Sequence, residues 1–237
     1  MDKADRVRAM FAAIADSYDL NNRLHSLGRD QAWRRRAVSL CDVTPGDRVL
    51  DVACGTGDLA QAFARAGSAS VCGVDFTEPM LEIARTKAAR RQRASGEPTP
   101  TFRHGDATAL PFEDGRFDIA SIAFGIRNVS DPLRAFKEMR RVLGAHGRVL
   151  VLEFSQPKNT ILRFFAHLYR DHLMPMTATC LARDRSGAYR YLPRSVATFA
   201  DREALASLMQ AAGFSSITVH PMTFGICVAY LGRVEGP

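Results

Sequence analysis

A chain of 237 residues that is 46% hydrophobic has the size and apolar content to bury an α/β core, which excludes a fibrous or disordered polypeptide. Five scattered cysteines (Cys41, Cys54, Cys72, Cys180 and Cys227) form no CxxC pair, which argues against a disulfide framework or zinc site and for a reducing compartment. The formal net charge of +7 sits in short clusters, Arg34-Arg35-Arg36, Arg90 to Arg93 and Arg140-Arg141, that read as solvated helix faces and select no partner by themselves.

The opening MDKADRVRAMFAAIADSYD lacks the continuous apolar run of a secretory leader. The later apolar stretch 161–182 is broken by Arg163, Arg170, Asp171 and Pro175, which a lipid-spanning helix would not carry in its middle. The expected location is the cytoplasm.

In chain order, residues 1–46 read as helical. Arg48 to Val52 is a strand, followed by a glycine loop and a helix from about Asp58 to Ala66. Ala69 to Asp75 is a second strand, and Pro79 to Arg93 a helix with proline in its first turn. Thr101 to His104 and Phe117 to Ala123 are strands three and four. Pro132 to Leu143 is a helix with Leu133, Phe136 and Met139 on one side, and Arg148 to Glu153 a fifth strand. After a helix over Asp201 to Ala212, Ser216 to His220 and Gly225 to Leu231 are two strands joined by a short link.

Seven strands, the early ones uninterrupted apolar runs alternating with helices, predict an α/β fold. Its sheet should be doubly wound and mostly parallel, with an antiparallel C-terminal strand. No repeat or low-complexity tract divides the chain, so residues 1–237 are expected to form one domain. Within it, 1–46 would be a helical cover. Residues 155–200, too long for a bare connection, would be an insertion covering the substrate.

The loop Val49-Leu-Asp-Val-Ala-Cys-Gly-Thr-Gly-Asp-Leu59 is rich in glycine, a weak signal alone. Its acids say more. Asp51 and Asp58 flank Gly55, Thr56 and Gly57, and a pyrophosphate lodged there would meet two carboxylates. A ligand with a cationic amino-acid end and a positive sulfur suits the loop, which points to S-adenosylmethionine. Asp75, closing the second strand, can accept from both ribose hydroxyls, with Phe76 packed on the adenine. Asp106, after the third strand, can accept from the adenine amino group while the Ala107 N–H meets a ring nitrogen. One such acid alone would read as a cap or loop residue. Three at the carboxyl ends of successive strands surround one crevice.

VLDVACGTGDLA, GVDFTEPMLEIAR, GDATALPFEDGRFDIA, AFGIRNVSDP and GRVLVLEFSQPKN resemble the ubiquinone/menaquinone biosynthesis C-methyltransferase family. So do Tyr18-Asp-Leu-Asn-Asn-Arg-Leu-His-Ser-Leu-Gly28, Trp33-Arg34 and Tyr189-Arg-Tyr-Leu-Pro-Arg-Ser195, so that nearly the whole chain is covered. The first three stretches are general to class I (Rossmann-like) methyltransferases; FGIRNVSD and VLEFSQP are narrower. The resemblance implies S-adenosylmethionine as cofactor, held at Thr56, Asp75, Asp106 and Ala107. It implies as substrate the ring carbon of a prenylated quinol, such as demethylmenaquinol or the ubiquinone-pathway benzoquinol. Two stretches depart from the family. Ala123 stands where many members carry Ser, which implies one hydroxyl contact to the cofactor fewer. Met222-Thr-Phe-Gly-Ile-Cys-Val-Ala-Tyr-Leu-Gly232 stands where members often read MTGGVVALHRG, and Phe224 and Tyr230 leave the particular quinone open.

Moving a methyl from sulfur to carbon is an in-line displacement, so the site must align two atoms and exclude water. Only the reduced quinol, best as its phenolate, pushes electron density onto the ring carbon, and phenols titrate near a pKa of about 10. A cation or a base at the ring oxygen should therefore assist. Arg127 is the candidate cation, Asn128 the candidate for orienting the ring oxygen, and Tyr18 the residue expected to close the cleft. Their competing roles are an ion pair, a turn residue and a core aromatic. The histidines lack ligand spacing, and no metal is expected.

The amphipathic stretch Leu162 to Arg170 would gather the prenyl tail, touch a membrane surface, or pack as a cover helix. Peripheral membrane contact and a homodimer stay open. The alternatives are a methyltransferase acting on a polyketide-like or sterol-like acceptor and an RNA methyltransferase. Against a nucleic-acid partner, the chain has no RNA-binding motif, no Asn-Pro-Pro-Tyr and no Pro-Cys nucleophile.

Overall fold

Runs such as Val149-Leu150-Val151-Leu152 are apolar at every position, which requires cover on both faces of a sheet. The computed structural model describes residues 3–157, 159–160, 195, 199 and 201–235. Its elements are α1 (Lys3–His25), α2 (Arg29–Ser39), β1 (Arg48–Val52), α3 (Asp58–Arg65), β2 (Ser70–Asp75), α4 (Glu78–Ser95) and β3 (Thr101–His104). They continue with β4 (Phe117–Ala123), α5 (Pro132–Val142), β5 (Leu143–Phe154), α6 (Arg202–Ala211), β6 (Ser215–Met222) and β7 (Cys227–Arg233).

Seven strands form one sheet in the order β3-β2-β1-β4-β5-β7-β6. The first five pair in parallel, and β7 lies antiparallel between β5 and β6. The order reverses between β1 and β4, which opens a crevice at their carboxyl ends, the position where open α/β sheets bind ligands.

The two faces carry separate cores that follow the two-residue period of the strands. Leu50, Val149 and Val151 pack with Phe136 and Met139 of α5 and Leu205 and Met209 of α6. Val49, Leu150 and Leu152 face the other way, onto Trp33 and Ala37 of α2 and Leu59 and Phe63 of α3. Side-chain caps hold two helices in register: Asp131 accepts from Arg134 N at 3.0 Å and Asp201 from Ala204 N at 2.8 Å.

Element bounds follow the sequence reading except at one junction. The helix expected to run to Leu143 ends at Val142, and β5 starts at once at Leu143 rather than at Arg148. Leu143 pairs with Phe117, and the register then slips so that Ile119 meets Arg148. Gly144-Ala-His-Gly147 supplies the slack as a bulge, with His146 at φ 65°. A glycine-bracketed quartet reads as a turn, which is why the strand looked shorter.

Residues 1–46 contain α1, lying along α4, and α2, lying along α3. The expected insertion 155–200, with the amphipathic stretch Leu162 to Arg170, lies outside the described residues except at 155–157, 159–160, 195 and 199.

Candidate active site

β1 hands over to α3 through a tight loop in which Ala53 (φ 50°), Gly55 (φ 54°) and Gly57 (φ 80°) are left-handed. Gly57 is confined by packing as well: a Cβ there would stand 2.7 Å from Phe102 Cζ. Phe124, directly after β4, is also left-handed at φ 56°. Backbone strain thus gathers at the ends of the two strands that flank the crevice.

The loop is fastened to β2 through Asp75. Gly55 N donates to Asp75 Oδ2 and Thr77 N to Asp75 Oδ1, both at 2.8 Å. Burial raises the Asp75 pKa, and these two N–H groups oppose the rise. Each carboxylate oxygen keeps a lone pair for a further donor.

A cleft open to solvent lies beside this loop. Its wall brings together eight of the residues singled out from sequence: Tyr18, Gly55, Asp75, Phe76, Asp106, Ala107, Ala123 and Asn128. Asp106 stands exposed at the mouth, accepting from Thr108 N at 2.8 Å and Thr108 Oγ1 at 2.9 Å. Asn128 donates to the Phe124 carbonyl at 3.4 Å. Tyr18 meets Phe11 edge-on at 5.9 Å. Burial raises its hydroxyl pKa, while a hydrogen bond with Asn22 and the charges of Arg34 and Arg127 pull it down.

Four residues expected at the site lie behind the wall. Asp51 is buried within β1, where Ser121 Oγ donates to it at 3.0 Å. Burial pushes its carboxyl up to about 7, and Oδ2 has no hydrogen-bond partner. Thr56 donates to Asp19 at 2.6 Å, and Gly57 caps α3. Arg127 bonds to Glu153 Oε1 at 2.5 Å, to the Phe124 carbonyl at 2.8 Å and to Ser195 Oγ at 3.2 Å. Arg127, the candidate cation, thus sits in a buried ion pair, the competing role named for it, and does not itself line the cleft.

The electrostatic reading of the glycine loop changes too. Asp58 is matched by Lys87 at 2.7 Å, with Arg91 at 3.5 Å and Arg23 at 3.6 Å. Burial alone would raise its pKa, but Lys87, Arg34 and Arg91 bring it down to about 2. Its charge is therefore spent inside the protein. The acids that face the cleft are Asp75 and Asp106, and among the described residues the wall carries no lysine, arginine or histidine. No three His, Cys, Asp or Glu among the described residues gather where they could hold a metal.

Tyr18 and a helical cover over 1–46 were expected, but sequence reasoning missed Ala4, Val7 and Phe11 as wall residues of α1. Ala4, Val7, Phe11 and Tyr18 all line the cleft, and their spacing of three, four and seven places them on one helix face. Glu153, the partner of Arg127, was also missed. Conversely, Phe224 and Tyr230, the two departures in the C-terminal stretch, do not line the cleft. Phe224 is 76% exposed on a turn and Tyr230 is buried in the core.

An acid-lined, phosphate-repelling wall with apolar surface from Phe76, Met80 and Ala107 fits an adenosyl group carrying a positive sulfur. The fold agrees. A methyltransferase of Thermotoga maritima that depends on S-adenosylmethionine superposes with TM-score 0.65 at 21% identity, covering 96% of this chain and 99% of that one. Another, from Aquifex aeolicus, gives 0.63 at 14% identity over 91% and 97%. The likeness shows the fold, that of the class I (Rossmann-like) methyltransferases.

Sequence comparison is more specific. The chain is 45% identical to the demethylmenaquinone methyltransferase of Thermus thermophilus, over 94% of this chain and 99% of the relative. It is 41% identical to a ubiquinone/menaquinone biosynthesis C-methyltransferase, UbiE, of Geobacter sp. strain M21, over 98% and 97%. The model of the ubiE/COQ5 methyltransferase family matches residues 1–233. The chain belongs to that family.

Proposed function

We propose that this enzyme methylates a ring carbon of a prenylated quinol, of the demethylmenaquinol or benzoquinol type. The observation that carries the reading is that one cleft brings the acids Asp75 and Asp106 together with the hydrogen-bonding groups of Tyr18 and Asn128, among apolar neighbours such as Val7, Phe11, Phe76 and Met80.

Bound S-adenosylmethionine supplies the electrophilic methyl group. Asp75 accepts from the ribose hydroxyls and Asp106 from the adenine amino group, while the Gly55 turn lets the backbone approach closely. Tyr18 and Asn128 hold the ring oxygen of the quinol by hydrogen bonds. Arg127 acts from behind them. Its charge already lowers the Tyr18 hydroxyl and in the same way favours the quinol oxyanion as the ring carbon becomes nucleophilic. Glu153 holds that guanidinium in place.

A prenylated quinol is a membrane lipid, so peripheral contact with a membrane surface belongs to the same proposal. Among the described residues no helix is long and apolar enough to cross a membrane. The deciding assay follows methyl transfer from labelled cofactor to reduced naphthoquinol and benzoquinol analogues, with structured RNA as control. Label on RNA and none on either quinol overturns the reading.

A further inference from the structure

Lys87 of α4 does not line the cleft, yet its ammonium makes three contacts that join separate parts of the site. It donates to Asp19 Oδ2 of α1 at 2.5 Å, to Asp58 Oδ1 of α3 at 2.7 Å and to Thr56 Oγ1 of the glycine loop at 3.1 Å. Three donors meet three acceptors, so the group is saturated. Thr56 Oγ1 closes the network by donating to Asp19 Oδ1 at 2.6 Å. Asp58 has other cations, Arg91 and Arg23, at 3.5 and 3.6 Å. For Asp19, Lys87 is the ion-pair partner among the described residues.

The position of this cluster gives it a consequence. Asp19 directly follows Tyr18, the last of the α1 residues that line the cleft, and Thr56 directly follows Gly55 of the glycine loop, which also lines it. The distance between these two walls is set where Asp19, Thr56 and Lys87 meet. With the ammonium removed, the Asp19 and Asp58 carboxylates would be left around Thr56 and would push α1 away from the loop. Side-chain exposures of 20% for Lys87 and 27% for Asp19 leave the pair within reach of water and salt.

We propose that Lys87 is a positioning residue of the cofactor site: it locks α1 onto the glycine loop through Asp19 and Thr56, and this lock governs how long the cofactor is retained. The proposal rests on the reading that the cleft holds S-adenosylmethionine. Lys87 itself touches neither cofactor nor substrate.

The test measures dissociation of S-adenosylhomocysteine from the whole protein, together with hydrogen exchange of the α1 amides before any ligand is added. Lys87→Met should speed dissociation roughly tenfold, the effect of losing charge-assisted hydrogen bonds, and should speed exchange in α1 while β1, β4 and β5 keep their protection. Lys87→Arg should recover part of the retention. Asp19→Asn added to Lys87→Met should also recover part, because the stranded charge is gone. Salt should speed release from the wild type, by screening the ion pair, and slow it in Lys87→Met, by screening the stranded carboxylates.

Unchanged dissociation in Lys87→Met, with or without faster α1 exchange, overturns the proposal. If Lys87→Met loses protection throughout the sheet, Asp19→Asn alone decides, since it breaks the same lock and leaves Lys87 paired with Asp58. Wild-type retention there overturns the proposal. Failure of the wild type to bind S-adenosylhomocysteine at all overturns the cofactor reading beneath it, a result distinct from altered release.

Discussion

Arg127 carries its charge into the interior, where its side chain is 4% exposed and that of Glu153 is 2% exposed. Breaking such a pair from one side leaves the other charge uncompensated, at a cost of about 3–5 kcal/mol. Arg127→Ala is therefore expected to lower both the melting temperature and kcat, the latter by roughly 10²–10³, with little change in cofactor affinity. The double variant Arg127→Met with Glu153→Gln should recover melting but not kcat. Recovery of turnover in that double variant would show that the reaction does not use the cation. For Asp75→Ala, calorimetry should show cofactor binding weakened by roughly 10²-fold, since a buried charged acceptor and its loop contacts go together. Unchanged affinity would remove Asp75 from the site.

Asp51 gives a test in pH. Its folded value of about 7 lies above the ordinary 3.8 because burial disfavours the charge. The stability this group contributes is fully present below about 4 and is lost as pH rises to about 7, since the unfolded chain gives up the proton first. Melting temperature should fall across that window. Asp51→Asn should flatten the fall by about 5 °C, a shift worth on the order of 1–2 kcal/mol in a chain of this size. Identical pH profiles for the two proteins would remove Asp51 as the source. Which acids stand near the loop was legible in the sequence, but their charge states were not. Asp58 and Asp51 look alike beside the glycines, but burial takes Asp51 up to about 7, whereas Lys87, reaching across from α4, together with Arg34 and Arg91 brings Asp58 down to about 2.

At the scale of elements, β1, β2, β4 and β5 were readable because each carries an apolar run buried on both faces of the sheet. The inner face of α1 was not, because its cleft-lining positions include Ala4 and Val7, which look like ordinary core residues. The Arg127–Glu153 pair depends on β4 and β5 being neighbours in register, which brings together residues 26 apart in the chain. The α3 junction is the element most open to test. Gly57→Ala would force a side chain into a left-handed conformation and against Phe102, an expected loss of about 2–5 kcal/mol. Phe102→Leu in the same protein should return the clash portion and leave the conformational cost. Full stability in Gly57→Ala would show that the loop relaxes more easily than its packing implies.

For the whole molecule, the chemistry demands a reduced substrate. An oxidised quinone ring is electron-poor and cannot donate density to the methyl group, so quinone kept strictly free of reductant should give no product where quinol does. Equal rates with both would end the carbon-nucleophile account.

The placement of β7 also bears on how the molecule comes into being. Six of its seven residues are buried, and it is the strand that joins β6 to the rest of the sheet. On the ribosome, therefore, one of the interior staves of the sheet is made after the other six strands. Until Cys227–Arg233 has emerged, β5 presents a bare edge of unpaired N–H and C=O groups, and β6 has nothing to dock against. A nascent chain halted at residue 226 should be cut by protease far faster than the released protein and should be held by chaperones that bind exposed strand edges. Protease resistance in the halted chain equal to that of the full chain would mean that the five-stranded remainder closes by itself.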